Sequence, residues 1–289
     1  MFSLTELIKL ETPITVCDVG AALGESPSYQ SLVDRGAARI VGFEPERTEC
    51  ERLNVAYGAP HLFLPYFVGD GRDQVFHQTN WNLTGSLFEP NRELNECFNN
   101  LVEVTQLVAK HPVTTVRLDD IAELDDIDFL KIDVQGAELM IFQNGRRRLS
   151  TTLMIQTEVE FIHHYKNQPL FADVDGELRA QGFQFHTFQG FGSRAFKPLA
   201  KTSSINDGFR QIIWSDAIYV RDWMKLAELS REKLQKYAVL MHDIMSSYDL
   251  CHVVLEELQR RDGVDWPTRY RERLGVQNTP PADAPRMNR

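Results

Sequence analysis

The stretch "DFLKIDVQGAELMIFQNG", residues 128–145, decides how this chain is read. With Ile127 ahead of it, Phe129, Leu130 and Ile132 form a nearly continuous apolar run, the mark of a strand buried on both faces. Two charges, Lys131 and Asp133, sit in that run where burial costs most. A helical pattern follows at once, with Met140 and Ile141 for its sheet-facing side and Asn144-Gly145 as its stop. A buried strand that ends in a carboxylate and turns into a helix brings that carboxylate to the crevice beyond an α/β sheet.

Outward from this centre, apolar runs and helical patterns alternate. Strands are predicted over 14–19 ("ITVCDV"), 39–44 ("RIVGFE"), 61–69 ("HLFLPYFVG"), 127–133 and 152–160 ("TLMIQTEVE"), with helices near 25–35, 46–57, 136–144 and 171–181. That alternation predicts a mainly parallel sheet covered by helices, an α/β Rossmann-like fold. A long insert separates the third and fourth strands, and its "DQVFHQT", "LVEVTQLVA" and "VTTVRL" read as shorter strands. "FQFHTF" and "QIIWSDAIYV" supply the far edge of the sheet.

The pattern changes near residue 222. Leu234, Ala238, Met241, Ile244 and Met245 recur at helical spacing, as do Leu250, Val253, Val254 and Leu258 after a break at "SSYD". The expected organisation is a sheet domain over 1–221, a helical hairpin over 222–265 and a disordered tail over 266–289 that ends in "TPPADAPRMNR". The hairpin's apolar face caps the sheet domain or joins two copies as a homodimer.

Composition narrows the function. The 289 residues are 43% hydrophobic and 25% charged, as in an ordinary soluble protein, and no window has the apolar length of a membrane span. A cytoplasmic protein without a membrane partner is expected. Cys17, Cys50, Cys97 and Cys251 are scattered, without the spacing of a zinc site or a disulfide framework. A net charge of −10 argues against a nucleic-acid partner. The single basic run, Arg146, Arg147 and Arg148, reads as a solvated helix end rather than a phosphate site.

The first strand ends in "CDVGAALGES", where Asp18 closes the strand and Gly20, Ala21 and Gly24 form a loop before a helix. That is the architecture of a nucleotide site. The dinucleotide fingerprint is broken at its second glycine, which is Ala22, and no Gly-Lys-Ser/Thr completes a P-loop. A carboxylate beside the loop is a poor neighbour for phosphate but suits an ammonium or sulfonium charge, and S-adenosylmethionine carries both without phosphate. The second strand ends in "GFEPE", and Glu44 stands about twenty residues past the loop, where a carboxylate accepts from both hydroxyls of an adenosine ribose. Pro45 then opens the next helix. The third strand ends in Gly69 and Asp70, for an adenine contact or a turn.

These strand ends, with "TGSLFEP" (84–90), "VRLDDI" (116–121), the central "KIDVQGAE" and "EVEFIHHYKNQPLFADVDGEL" (158–178), resemble the FkbM family of S-adenosylmethionine-dependent methyltransferases over roughly residues 14–190. Many members carry Glu where this chain has Gln135. The resemblance implies a class I methyltransferase fold, a seven-stranded sheet with its last strand antiparallel. It also implies transfer to an oxygen of a sugar, glycan or polyketide-type small molecule.

Methyl transfer asks the protein to align acceptor and methyl group, an effect on the order of 7 to 11 kcal/mol at its extreme. A hydroxyl acceptor also needs a base. Asp133 is the expected acceptor of that proton, with Glu158 setting its charge and Lys131 paired to it as structural support. His163, beside His164, is a second candidate base. A variant makes Asp133, Glu158 and Glu160 ligands of magnesium, which is not favoured. Trp81 and Phe88 flank "NLTGS" as a wall of the acceptor pocket or as core. An NAD-dependent oxidoreductase and a non-catalytic binding protein on the same fold are the competing readings.

Overall fold

The structure, a computed structural model, describes residues 2–22 and 26–276. Their contacts define two units, one within residues 12–224 and one that joins the described residues before 12 to those after 224. The N-terminal segment therefore does not belong to the sheet domain, as a boundary at 1–221 had it. The Leu4 N–H donates to Asp243 at 3.0 Å, and His242 Nε2 lies 2.9 Å from the Phe2 carbonyl, so the segment is tied to helical partners.

The larger unit is built on a seven-stranded sheet. Its strands are β1 (Ile14–Val19), β2 (Ala38–Phe43), β3 (Leu62–Leu64), β7 (Phe129–Ile132), β8 (Met154–Glu160), β9 (Phe183–Ser193) and β10 (Ile212–Arg221). They lie in the order β3-β2-β1-β7-β8-β10-β9, parallel except for β10, which runs antiparallel to both neighbours. β1 is buried along its whole length, as an apolar strand with helices on both faces must be. Helices α1 (Gln30–Asp34) and α2 (Arg47–Tyr57) follow β1 and β2. α2 starts at Arg47 rather than at Pro45, because the Glu46 carboxylate caps it by accepting from the Thr48 and Glu49 N–H groups.

The predicted 61–69 strand is two strands. β3 ends at Leu64, and β4 (Phe67–Gly69) leaves the main sheet to pair with β6 (Leu107–Arg117), which pairs antiparallel with β5 (Asp73–Thr79). The insert thus makes its own three-stranded sheet. "LVEVTQLVA" is not one strand: α3 (Arg92–Asn95) and α4 (Leu101–Val104) are helical turns, and β6 starts only at Leu107.

α5 (Glu138–Gln143) and α6 (Arg146–Leu149) follow β7, and α7 (Phe171–Ala180) precedes β9. The basic run is a solvated helix end, with Arg146 and Arg147 exposed, and it is also tied to its neighbours. The Arg147 and Arg148 N–H groups donate to Asp119, Arg148 reaches the Ile121 carbonyl, and Arg146 pairs with Glu177 at 2.6 Å.

In the second unit, α8 (Arg231–Val239) runs into a π-helical segment, Leu240–Ile244, followed by α9 (Tyr248–Asp262) and α10 (Trp266–Leu274). The start of the expected disordered tail is thus a helix. Asp265 caps it, Pro267 sits in its first turn, and Gly275 ends it in the left-handed region. Tyr270 is buried, with its hydroxyl 2.8 Å from His242 Nδ1. The rest of that tail, from residue 277, lies outside the described residues. Among the described residues no helix is long and apolar enough to cross a membrane.

The main sheet reverses its order between β1 and β7, where a crevice must open. Here Gly20 has φ +84°, and a Cβ on it would lie 2.1 Å from the Asp133 carbonyl oxygen. Gly20→Ala is therefore expected to cost at least about 1–3 kcal/mol through backbone strain alone. Urea denaturation measures it, and a variant as stable as the parent contradicts the packing.

Candidate active site

Beyond the carboxyl ends of β1, β2 and β7 lies a cavity of ≈ 800 Å³. On its sheet side stand Gly20, Glu44, Pro45, Asp133 and Gln135, and Tyr66, Phe67 and Val68 continue the wall. The insert forms the opposite side with Gln78, Asn80, Asn82, Ser86 and His111. The charged groups on the wall are Glu44, Glu46, Glu49 and Asp133 against Arg52. That excess of carboxylates repels a pyrophosphate and attracts a cation.

Glu44 is delivered by the end of β2, and its carboxylate accepts from the Glu46 N–H at 2.8 Å. Burial pushes it up to about 7, with the Glu46 N–H pulling the other way and the Glu49 and Glu46 charges adding to the rise. Pro45 lies beside it on the wall.

The other loop residues have inward duties. Asp18 is buried, accepts a hydrogen bond from the Tyr29 hydroxyl, and pairs with Lys131 Nζ at 3.3 Å. Lys131 is thus structural, but its partner is Asp18 on the neighbouring strand and not Asp133. The register pairs Asp18 with Lys131 across β1 and β7. Ala21 is buried and its N–H is taken by the Phe43 carbonyl, which also receives the Gly20 N–H. Gly24 lies outside the described residues.

Neither Gly69 nor Asp70 lines the cavity. Gly69 packs against Thr115, and Asp70 accepts from the Arg72 N–H, Gln74 Nε2 and Thr115 Oγ1, so it builds the turn into β5. The third strand reaches the cavity earlier, through Tyr66 to Val68, because β4 has left the main sheet.

Asp133 stands exposed on the cavity wall just past β7, with its N–H held by the Val19 carbonyl at 3.1 Å. Glu158, at the end of β8, does not reach the cavity. Gln135 lies between them and donates from Nε2 to Asp133 Oδ1 at 2.8 Å and to Glu158 Oε2 at 2.7 Å. Burial, with the nearby Asp133 and Glu160 charges, holds Glu158 well above the usual carboxylate range. Glu160 is raised by burial and by Glu138 and Asp133.

Glu138, which sequence reading passed over, caps the central loop. Its Oε1 accepts from the Val134 N–H at 2.8 Å, and burial pushes it up to about 7. Its place in "QGAE" at the start of a helix was the available signal. Among the described residues no three of His, Cys, Asp and Glu come together to hold a metal. An amide donor between Asp133 and Glu158 is also the wrong neighbour for a cation.

His163 is exposed and lies off the cavity wall, so it does not join Asp133 there. His164 is buried against Trp214, and burial followed by the Arg194 charge pushes it down to about 4. Trp81 and Phe88 are also absent from the wall, which the neighbouring Asn80, Asn82, Ser86 and Leu87 supply instead.

A sheet of this order, with β10 antiparallel and a ligand cavity at its reversal, is the class I methyltransferase fold. The Methyltransferase FkbM domain model matches residues 18–185, more than half of the chain. The chain belongs to the FkbM methyltransferase family. The 2-O-methyltransferase NoeI of Sinorhizobium fredii (strain NBRC 101917 / NGR234) is 29% identical over 186 residues, which cover 60% of this chain and 74% of NoeI. Among solved structures, magnesium protoporphyrin IX methyltransferase (ChlM) from Synechocystis PCC 6803 with bound SAM is similar at a TM-score of 0.38 and 12% identity. That match covers 73% of this chain and 71% of ChlM.

Two outcomes follow from the geometry. Lys131→Met leaves Asp18 buried without its cation and is expected to cost about 3–5 kcal/mol in a chemical denaturation series; an unchanged midpoint contradicts the pairing. Glu44 rises from 4.5 to about 7 on folding, so folding takes up a proton there, and stability falls as pH climbs through that window. A ligand whose hydroxyls donate to the ionised carboxylate must then bind more tightly as pH rises through about 7. Calorimetry with adenosine-bearing ligands reads the slope, and Glu44→Gln should flatten it.

Proposed function

We propose that this protein transfers the methyl group of S-adenosylmethionine to a hydroxyl oxygen of a sugar-bearing small molecule or glycan. The observation that carries the reading is Asp133, a carboxylate on rigid backbone at the end of β7, facing the same cavity as Glu44. Membership of the FkbM family and the likeness to a 2-O-methyltransferase support methyl transfer to oxygen.

The cavity fits the cofactor's chemistry. Its carboxylates suit a sulfonium and an ammonium and disfavour the pyrophosphate of NAD. Glu44 would accept from the ribose hydroxyls, and Tyr66 to Val68 would border the base. Bound there, S-adenosylmethionine supplies an electrophilic methyl group on sulfur. Asp133 would take a hydrogen bond from the acceptor hydroxyl and receive its proton as the oxygen–carbon bond forms and the carbon–sulfur bond breaks, with S-adenosylhomocysteine as the leaving group. Gln78, Asn80 and Asn82 line the insert's wall with neutral donors and acceptors, which match hydroxyls better than they match a charged acceptor.

Calorimetry with S-adenosylmethionine, S-adenosylhomocysteine and NAD tests the ligand, and binding of NAD alone overturns the reading. Release of S-adenosylhomocysteine in the presence of a panel of p-nitrophenyl glycosides tests the transfer. Asp133→Asn should keep the affinity for S-adenosylhomocysteine and lower turnover roughly 10²- to 10⁴-fold. Full turnover in that variant removes Asp133 from the mechanism.

A further inference from the structure

Gln135, on the cavity wall, makes hydrogen bonds with both ends of its amide. Its backbone has φ +57°, in the left-handed region that most side chains avoid. Its carbonyl accepts from Ser86 Oγ at 2.6 Å, which anchors that conformation to the insert. Its Oε1 lies 3.0 Å from the Tyr165 hydroxyl, which is buried and also 2.9 Å from the Thr84 carbonyl. Its Nε2 donates to Asp133 and Glu158 together.

Chemistry fixes which way this amide faces. Asp133 Oδ1 and Glu158 Oε2 both lie within hydrogen-bond distance of one atom of this amide, and its nitrogen has two N–H groups to give them. Turned over, the amide would set its oxygen against both carboxylates. A carboxyl group at position 135 has no donor when ionised and a single one when protonated, so it could not donate to both partners.

We propose that Gln135 is a positioning residue for methyl transfer: its amide ties Asp133 Oδ1 to Glu158 and leaves Oδ2 to face the acceptor hydroxyl. Among the described residues no hydrogen bond uses Asp133 Oδ2. The proposal rests on the reading of Asp133 as proton acceptor. The ionisable groups around Asp133 are Lys131 on its own strand, Glu158 and Glu160 on β8, Glu138 on α5, Asp216 on β10 and Tyr165. Lys131 is the cation among them and is already paired to Asp18. The Gln135 amide is therefore the neutral spacer between Asp133 on the cavity wall and the buried Glu158 behind it.

The test is a carboxyl ¹³C NMR titration of the whole protein with labelled Asp and Glu. It compares the parent, Gln135→Glu and Gln135→Met, with Asp133→Asn to assign the resonance. In Gln135→Glu the Asp133 signal should titrate as one of a coupled pair, with its midpoint raised by about one unit or more. Gln135→Met should raise it in the same direction through loss of the donor. With a glycoside that the parent methylates, Gln135→Met should lower kcat on the order of a hundredfold with little change in KM. An Asp133 midpoint that stays put in both variants, with circular dichroism and S-adenosylhomocysteine affinity unchanged, overturns the proposal. Should Asp133→Asn turn over normally while the midpoint still moves, the bridge stands and the proton-acceptor role falls. An inactive Asp133→Asn with an unmoved midpoint sinks the bridge and leaves the role of Asp133 standing.

Discussion

At the point where β1 and β7 end side by side, the backbone after one strand lies directly on the backbone after the other. Gly20 leaves room for the Asp133 carbonyl, and the Asp133 N–H is held by Val19. Any Cβ at position 20 would drive the two ends apart. The crevice exists because the sheet reverses its order here, and its width is set by this contact. A cofactor loop and an acceptor-facing carboxylate on one rigid seam suit a reaction whose rate depends on alignment.

The charges that look misplaced in the central strand are separated by direction. Lys131 turns inward to Asp18, across a register that sets the two side by side. A buried charge is tolerable only with such a partner, and the Tyr29 hydroxyl supplies a further bond to the same carboxylate. Asp133 comes one residue past the strand and faces the cavity. Behind it, Glu158, Glu160 and Glu138 are raised by burial, so the carboxylate that faces the cavity is backed by groups that favour a proton.

Much of this was legible in local grammar. An apolar run that stops at a glycine, a carboxylate or Pro marks a strand end, which is why Gly20, Glu44, Pro45 and Asp133 were found and do line the cavity. Cross-strand partners were not legible, because sequence gives the order of strands but not their register. Asp18 was therefore read as a ligand contact when it is the counter-ion of Lys131. The break after Leu64 hid a change of sheet, which moved the third strand's contribution from Gly69 and Asp70 to Tyr66 through Val68. His163 failed because neighbouring residues in a loop point in different directions, and the buried one is His164. The helix over Trp266–Leu274 had all its signals, an Asp cap, a first-turn Pro and a closing Gly, but the polar composition after it masked them.

The most direct test is a crystal structure of the protein with S-adenosylhomocysteine. The account predicts both ribose hydroxyls on the Glu44 carboxylate and the sulfur turned toward Asp133 and the insert's wall. A nucleoside held away from Glu44, or a sulfur facing away from Asp133, would contradict it.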